Sequence, residues 1–191
     1  YRSLNPHPGD DFNHFYYLAK SLLHGQVDIK NFPYHDAVYV NNKTVLAFPP
    51  APSLLIMPFI VLKTGLNQKE ISIILGAINA SLIFLLLSRF TNKKLALIIS
   101  AFFTFGTVHM WASVVGTAWL FAQVSAVFYL LLSLTFFFNK KYFLSGLFFS
   151  LASLSRTTIF ISVLFFVSQI LDCESPSRKA DLIKFLSAAM F

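Results

Sequence analysis

From Leu95 to Phe138 the chain carries no Asp, Glu, Lys or Arg. A helix that crosses the hydrocarbon core of a bilayer needs about 20 predominantly apolar residues. The run therefore predicts two crossings in succession. His109, Trp111, Gly116, Thr117 and Trp119 fall near its middle, where a short exposed turn with interfacial aromatics is expected. Composition argues the same way, with 56% hydrophobic and 12% charged residues against about 25% charged in soluble domains. A water-soluble core cannot absorb that much apolar surface.

The expected fold class is an all-α polytopic membrane protein, with spans at about 70–89, 94–110, 117–138, 142–155 and 157–171, and a further one from about 181 to the end. The formal charge of +7 does not point to nucleic acid, because the basic residues sit mainly at the ends of apolar runs. Lys and Arg flank cytoplasmic span ends. The linkers Arg89 to Lys94 and Asn139 to Lys141 are basic, whereas the linker around Gly116 is uncharged. That alternation puts both basic linkers in the cytoplasm and the first 65 or so residues outside. A lone Cys173 excludes an internal disulfide and any multi-cysteine metal site. The chain opens at Tyr1 rather than Met and stops at Phe191 inside an apolar run, so it is read as an excerpt of a longer protein.

The stretch from Tyr142 to Leu171 is too long for one upright span and is interrupted by Ser153, Ser155, Arg156, Thr157 and Thr158. An arginine near a bilayer centre costs about 2.5–3.5 kcal/mol on insertion scales. Two short helices meeting at Arg156 avoid that cost, and this pair is preferred to a single tilted helix. A buried cation needs an anionic partner or water, and a lipid phosphate would satisfy Arg156. The competing reading is an arginine snorkelling from a short helix end.

Residues 1–65 form a separate outer-face loop. Phe12, Phe15, Tyr16, Ala19, Leu22 and Leu23 recur at helical spacing after Asp10 and before Gly25, which predicts one amphipathic helix over 11–24 lying along the interface. Val38 to Phe48 alternates around Asn41-Asn42 and predicts a small hairpin. Pro49-Pro50-Ala51-Pro52 then leads a short apolar run broken at Pro58, lying in the surface or dipping into it.

Asp10 and Asp11 stand at the start of the interfacial helix. Asp is a favoured cap and first-turn residue there. One cap does not need two carboxylates, so the second is free to accept a proton or bind a cation. His14 shares their face one turn later, and with His7 could help hold a divalent cation; its plain alternative is a solvated interfacial histidine. Tyr39, Lys43, His109 and Trp111 are candidates for the same outer surface. Asn42-Lys43-Thr44 matches a glycosylation sequon, a triplet common by chance.

In their order these features resemble the GT-C-type membrane glycosyltransferases, in particular the bacterial relatives of protein mannosyltransferases and aminoarabinose transferases. The resemblance rests on Gly9-Asp10-Asp11-Phe12-Asn13-His14-Phe15-Tyr16-Tyr17-Leu18-Ala19, on Tyr39, and on Phe48-Pro49-Pro50-Ala51-Pro52-Ser53-Leu54-Leu55 with Pro58. It continues in Gly106-Thr107 and in Ser145-Gly146-Leu147 through Ser155-Arg156-Thr157. It departs at Phe48 and Ala51, where relatives often have lysine and glycine. The resemblance implies a GT-C-like module in a bacterial or archaeal cell membrane that transfers a sugar from a polyprenyl-phosphate donor to a lipid, glycan or protein acceptor on the outer face. It implies Asp10 or Asp11 as catalytic base and Arg156, Tyr39, His14 and Lys43 as substrate-binding residues. A non-enzymatic transporter or lipid flippase is the alternative, and a structural membrane subunit a third reading. Uncharged central spans with an acidic pair outside them favour an outer-face site over the midplane site expected of a transporter.

Overall fold

The computed structural model describes residues 12–29, 32, 36–172 and 178–190. Its described part is mostly helical. Helix α1 (His14–Leu23) starts three residues later than its apolar periodicity predicts and buries Phe15, Leu18 and Ala19 on one face. Gly25, at a φ of 68°, ends it. Strands β1 (Ala37–Val40) and β2 (Lys43–Leu46) pair antiparallel, with Ala37 opposite Leu46 and Val40 opposite Lys43. Asn41 and Asn42 turn the chain at φ values of 49° and 60°. Two residues with positive φ make the hairpin turn whose twist matches its strands, and asparagine tolerates that region better than most. Thr44 pins the hairpin to the segment after α1: its carbonyl accepts from the Ile29 amide at 2.8 Å and its amide donates to Asp28 Oδ1 at 2.9 Å.

Helix α2 (Ala51–Val61) runs through Pro58 instead of breaking there. Proline removes one helical hydrogen bond, and both Pro58 and Leu54, whose carbonyl loses it, are exposed. Helix α3 (Gln68–Leu87) begins with a reciprocal cap, in which Asn67 Oδ1 accepts from the Glu70 amide at 3.0 Å and Glu70 Oε2 from the Asn67 amide at 2.8 Å.

A second difference lies after α4 (Lys93–Gly106). The expected span over 94–110 ends early, and the expected exposed turn is a helix of its own, α5 (Val108–Val115), bent from α4 by 55°. Thr107 causes the bend. Its backbone is extended, its Oγ1 donates to the Phe103 carbonyl at 2.7 Å, and the same oxygen accepts from the His109 amide at 3.1 Å. One hydroxyl thus finishes α4 and caps α5. Gly116 closes α5 in the left-handed region, and a Cβ there would lie 2.9 Å from Lys69 Cα.

Helix α6 (Ala118–Phe138) follows, then α7 (Tyr142–Ser153), a 3-10 helix over Thr157–Ser162, α8 (Val163–Asp172) and α9 (Arg178–Ala189). Among the described residues α3 and α6 are long and apolar enough to cross a membrane, and the bent pair α4 and α5 makes a third candidate.

Two cores meet on α6. Near its start, Phe15, Ile56, Ile71, Leu75 and Phe121 join α1, α2 and α3. Near its end, Phe137, Phe149, Phe166 and Phe185 stack from α6, α7, α8 and α9, with Phe149 and Phe166 ring centroids 5.3 Å apart and Phe166 and Phe185 5.1 Å apart. The second core depends on a glycine, because a Cβ on Gly146 would overlap the Phe185 carbonyl oxygen of α9. That neighbour is backbone and cannot swing aside. Gly146→Ala should therefore push α9 from α7 and lower stability by about 1–3 kcal/mol, the range for overpacking. Thermal unfolding in detergent checks it, with Gly25→Ala, whose Cβ would meet nothing within 4 Å, reporting backbone strain alone.

Candidate functional site

Asp10, Asp11 and His7 lie outside the described residues. The site is therefore built from the head of α1, which the chain reaches directly after them. Asn13 occupies the N-cap position and its side chain makes no capping bond. The first amides of a helix lack the regular intrahelical acceptor. His14 donates to the Phe12 carbonyl at 2.9 Å, Phe15 to Gln68 Oε1 at 3.0 Å and Tyr16 to the Asn13 carbonyl at 3.1 Å, and Tyr17 begins the regular helical ladder on that same carbonyl at 3.2 Å. The expectation that one of Asp10 and Asp11 serves as the cap falls on residues outside the described ones.

Gln68 does more than cap. Its Nε2 donates to the Gly116 carbonyl at 2.8 Å, and the residue is fully buried. One side chain at the start of α3 thus ties the head of α1 to the α5–α6 turn. Sequence reading missed it, since its partners lie 53 and 48 residues away and a glutamine opening a helix has no distinguishing local pattern.

His14 is also buried, at 0% exposure, rather than solvated. Phe12, Phe32 and Phe48 surround its ring at centroid distances of 5.9, 5.2 and 5.4 Å. Nδ1 lies 2.9 Å from the Phe12 carbonyl, which only accepts, so Nδ1 carries the hydrogen. Nε2 faces Asp36 Oδ2 at 3.2 Å. Burial among apolar rings holds the imidazole below the usual histidine range, opposed by the Phe12 carbonyl and by Asp36. Both nitrogens face protein groups, and Asp36, at the foot of β1, is a partner no spacing in the sequence indicates. Among the described residues no three His, Cys, Asp or Glu side chains are grouped to hold a metal ion.

The remaining candidates are dispersed. Lys43 lines a shallow hollow with Gly25, Gln26 and Asp28, at the opposite end of α1 from His14. Tyr39 is 71% exposed near the hairpin tip, its hydroxyl 3.4 Å from Asn42 Oδ1. His109 is buried beside Phe103, at 4.7 Å between ring centroids, and Trp111 is exposed. Arg156 stands where α7 gives way to the 3-10 helix, in extended conformation at φ −148° and ψ 111°. It is half-buried and makes no ion pair among the described residues. Its amide donates to the Ala152 carbonyl at 3.0 Å, and Ala152 packs with Ala51 and Tyr129. The break at Arg156 and the proline-rich start of α2 therefore come together halfway along α6.

The chain matches no protein-family profile, no curated protein and no solved structure.

Two outcomes follow from this geometry. Gln68→Leu strands the Phe15 amide and the Gly116 carbonyl in an apolar site, and should lower stability by on the order of 2 kcal/mol and speed amide exchange in α1 more than in α7. His14 binds its proton more weakly folded than unfolded, so its contribution is present above the unfolded value of about 6.5 and is lost as pH falls below it. Unfolding midpoints should drop between about pH 6.5 and 5, and His14→Gln should flatten that slope.

Proposed function

We propose that this chain belongs to an integral-membrane glycosyltransferase of GT-C-like, polytopic build, which transfers a sugar from a polyprenyl-phosphate donor to an acceptor at the outer face of the membrane. The observation that carries the reading is the head of α1 held in place by the buried Gln68. Gln68 accepts from the Phe15 amide and donates to the Gly116 carbonyl, so Asp10 and Asp11 precede an anchored helix start, and one cap does not need two carboxylates. Two acidic side chains beside an anchored helix head, outside the apolar spans, suit proton abstraction from an acceptor hydroxyl.

The chemistry balances with one base. The acceptor hydroxyl gives its proton to Asp10, or to Asp11 beside it, as its oxygen bonds to the anomeric carbon. The bond from that carbon to the phosphate oxygen breaks, and the phosphate leaves with the electron pair. Phosphate needs no general acid if a cation stabilises it, so the carboxylate pair of a glycosidase reduces to one. Arg156 is the cation we assign to the donor phosphate, on the ground that it is half-buried and without an ion pair among the described residues.

Asp10→Asn keeps size and removes basicity. Transfer from a polyprenyl-phosphate sugar should fall by about 10²–10⁴ with expression and unfolding midpoint unchanged, and Arg156→Lys should keep partial donor binding, since charge survives while the planar fork does not. Parental rates in Asp10→Asn, Asp11→Asn and the double variant would rule out the assignment.

A further inference from the structure

The far end of the helices carries a second feature, on the surface opposite the head of α1. The turn between α3 and α4 holds Arg89, α4 opens with Lys93 and Lys94, and the turn between α6 and α7 holds Lys140 and Lys141. The two turns adjoin: Arg89 Nη1 donates to Asn139 Oδ1 at 3.0 Å, and the Phe90 and Phe138 ring centroids are 4.9 Å apart. Five cations thus share one surface, with no carboxylate on either turn. Among the described residues beyond α7 the carboxylates are Asp172 of α8 and Asp181 of α9, and Asp181 faces Lys184 at 3.2 Å.

A groove of about 440 Å³ opens between α3 and α4 directly beside this surface. Ala80, Ser81 and Phe84 form one wall, and Leu97, Ala101 and Thr104 the other. Leu97 lies one helical turn from Lys93 and Lys94, and Phe84 a little over one turn from Arg89. The wall along α4 extends from Leu97 to Phe105, roughly 12 Å at 1.5 Å per residue. Its hydroxyls are turned back on their own helices, Ser81 Oγ to the Ala77 carbonyl at 3.1 Å and Thr104 Oγ1 to the Ser100 carbonyl at 2.7 Å. The groove asks for hydrocarbon, and its mouth asks for negative charge.

We propose that the α3–α4 groove and the basic turns form a binding site for one anionic glycerophospholipid, an acyl chain lying along α4 and the phosphate headgroup among Arg89, Lys93 and Lys94. Lys140 and Lys141 add to the field at the headgroup. Basic clusters at helix ends draw acidic lipids from the adjacent leaflet, each nearby cation strengthening the attraction severalfold. The site is independent of any sugar transfer at the other end of the helices.

Photocrosslinking tests it. A benzoylphenylalanine at Leu97, in the protein reconstituted into phosphatidylcholine vesicles doped with phosphatidylglycerol, should capture phosphatidylglycerol well above its share of the bilayer. The enrichment should shrink in raised salt, and should fall at least fivefold in the Arg89→Gln, Lys93→Gln, Lys94→Gln triple variant. Ala101→Phe, which fills the groove and leaves every charge in place, should also abolish it. Capture in proportion to bulk composition, enrichment that survives the triple variant or Ala101→Phe, or crosslinks to another part of the protein covering α4 would each overturn the proposal. The salt arm uses the parent chain and does not depend on the variants folding.

Discussion

The end of this helical assembly that carries α1 depends on one buried amide. Gln68 accepts from the head of α1 and donates to the turn between α5 and α6, so three segments distant in sequence meet at one side chain. A polar group in such a place stabilises only while both its partners are present, because a lost partner leaves a desolvated donor or acceptor. Apolar packing then completes the arrangement. Phe15, one residue into α1, lies 5.8 Å from Phe121 of α6, and Phe48 touches both His14 and Trp119. The short polar helix is thereby held in register with the long apolar ones, and the chain preceding it departs from a fixed point.

The other end is held by different means. Between apolar helices in a lipid environment there is little hydrophobic drive, and close packing of small residues takes over. Gly146 lets α9 approach α7 backbone to backbone, Gly76 does the same for the Ser113 side chain of α5, and the phenylalanines of α6, α7, α8 and α9 fill the space between. Ser133 adds a polar tie, donating to the Ser145 carbonyl at 2.9 Å.

The long helices α3 and α6 could be read from charge-free runs, and the hairpin from alternation around two asparagines, since each signal is local. What escaped was set by distance or by a single hydroxyl. Thr107 splits one apolar run into α4 and α5 without any change in hydropathy, and α2 passes Pro58 because that face of the helix is exposed. Gln68 and Asp36 act on α1 from 53 and 22 positions away, so no window on the sequence contains both partners. Asp10 and Asp11 were conspicuous as a motif. Gln68, the acceptor of the Phe15 amide, is a partner that only the fold reveals.

Placed in a bilayer, α7 would act on the surrounding lipid through its length. Its 12 residues cover about 18 Å, well short of a hydrocarbon layer roughly 30 Å thick. Beyond Ser153 the wall continues as an extended residue and a 3-10 turn, so the peptide groups near Arg156 are not all internally paired by a regular helix. A bilayer meets such a shortfall by thinning locally, and water follows the headgroups inward. Hydrophobic mismatch at α7 would thus draw the interface toward the proline-rich start of α2, and the thickness of the host membrane would set how deep Arg156 sits.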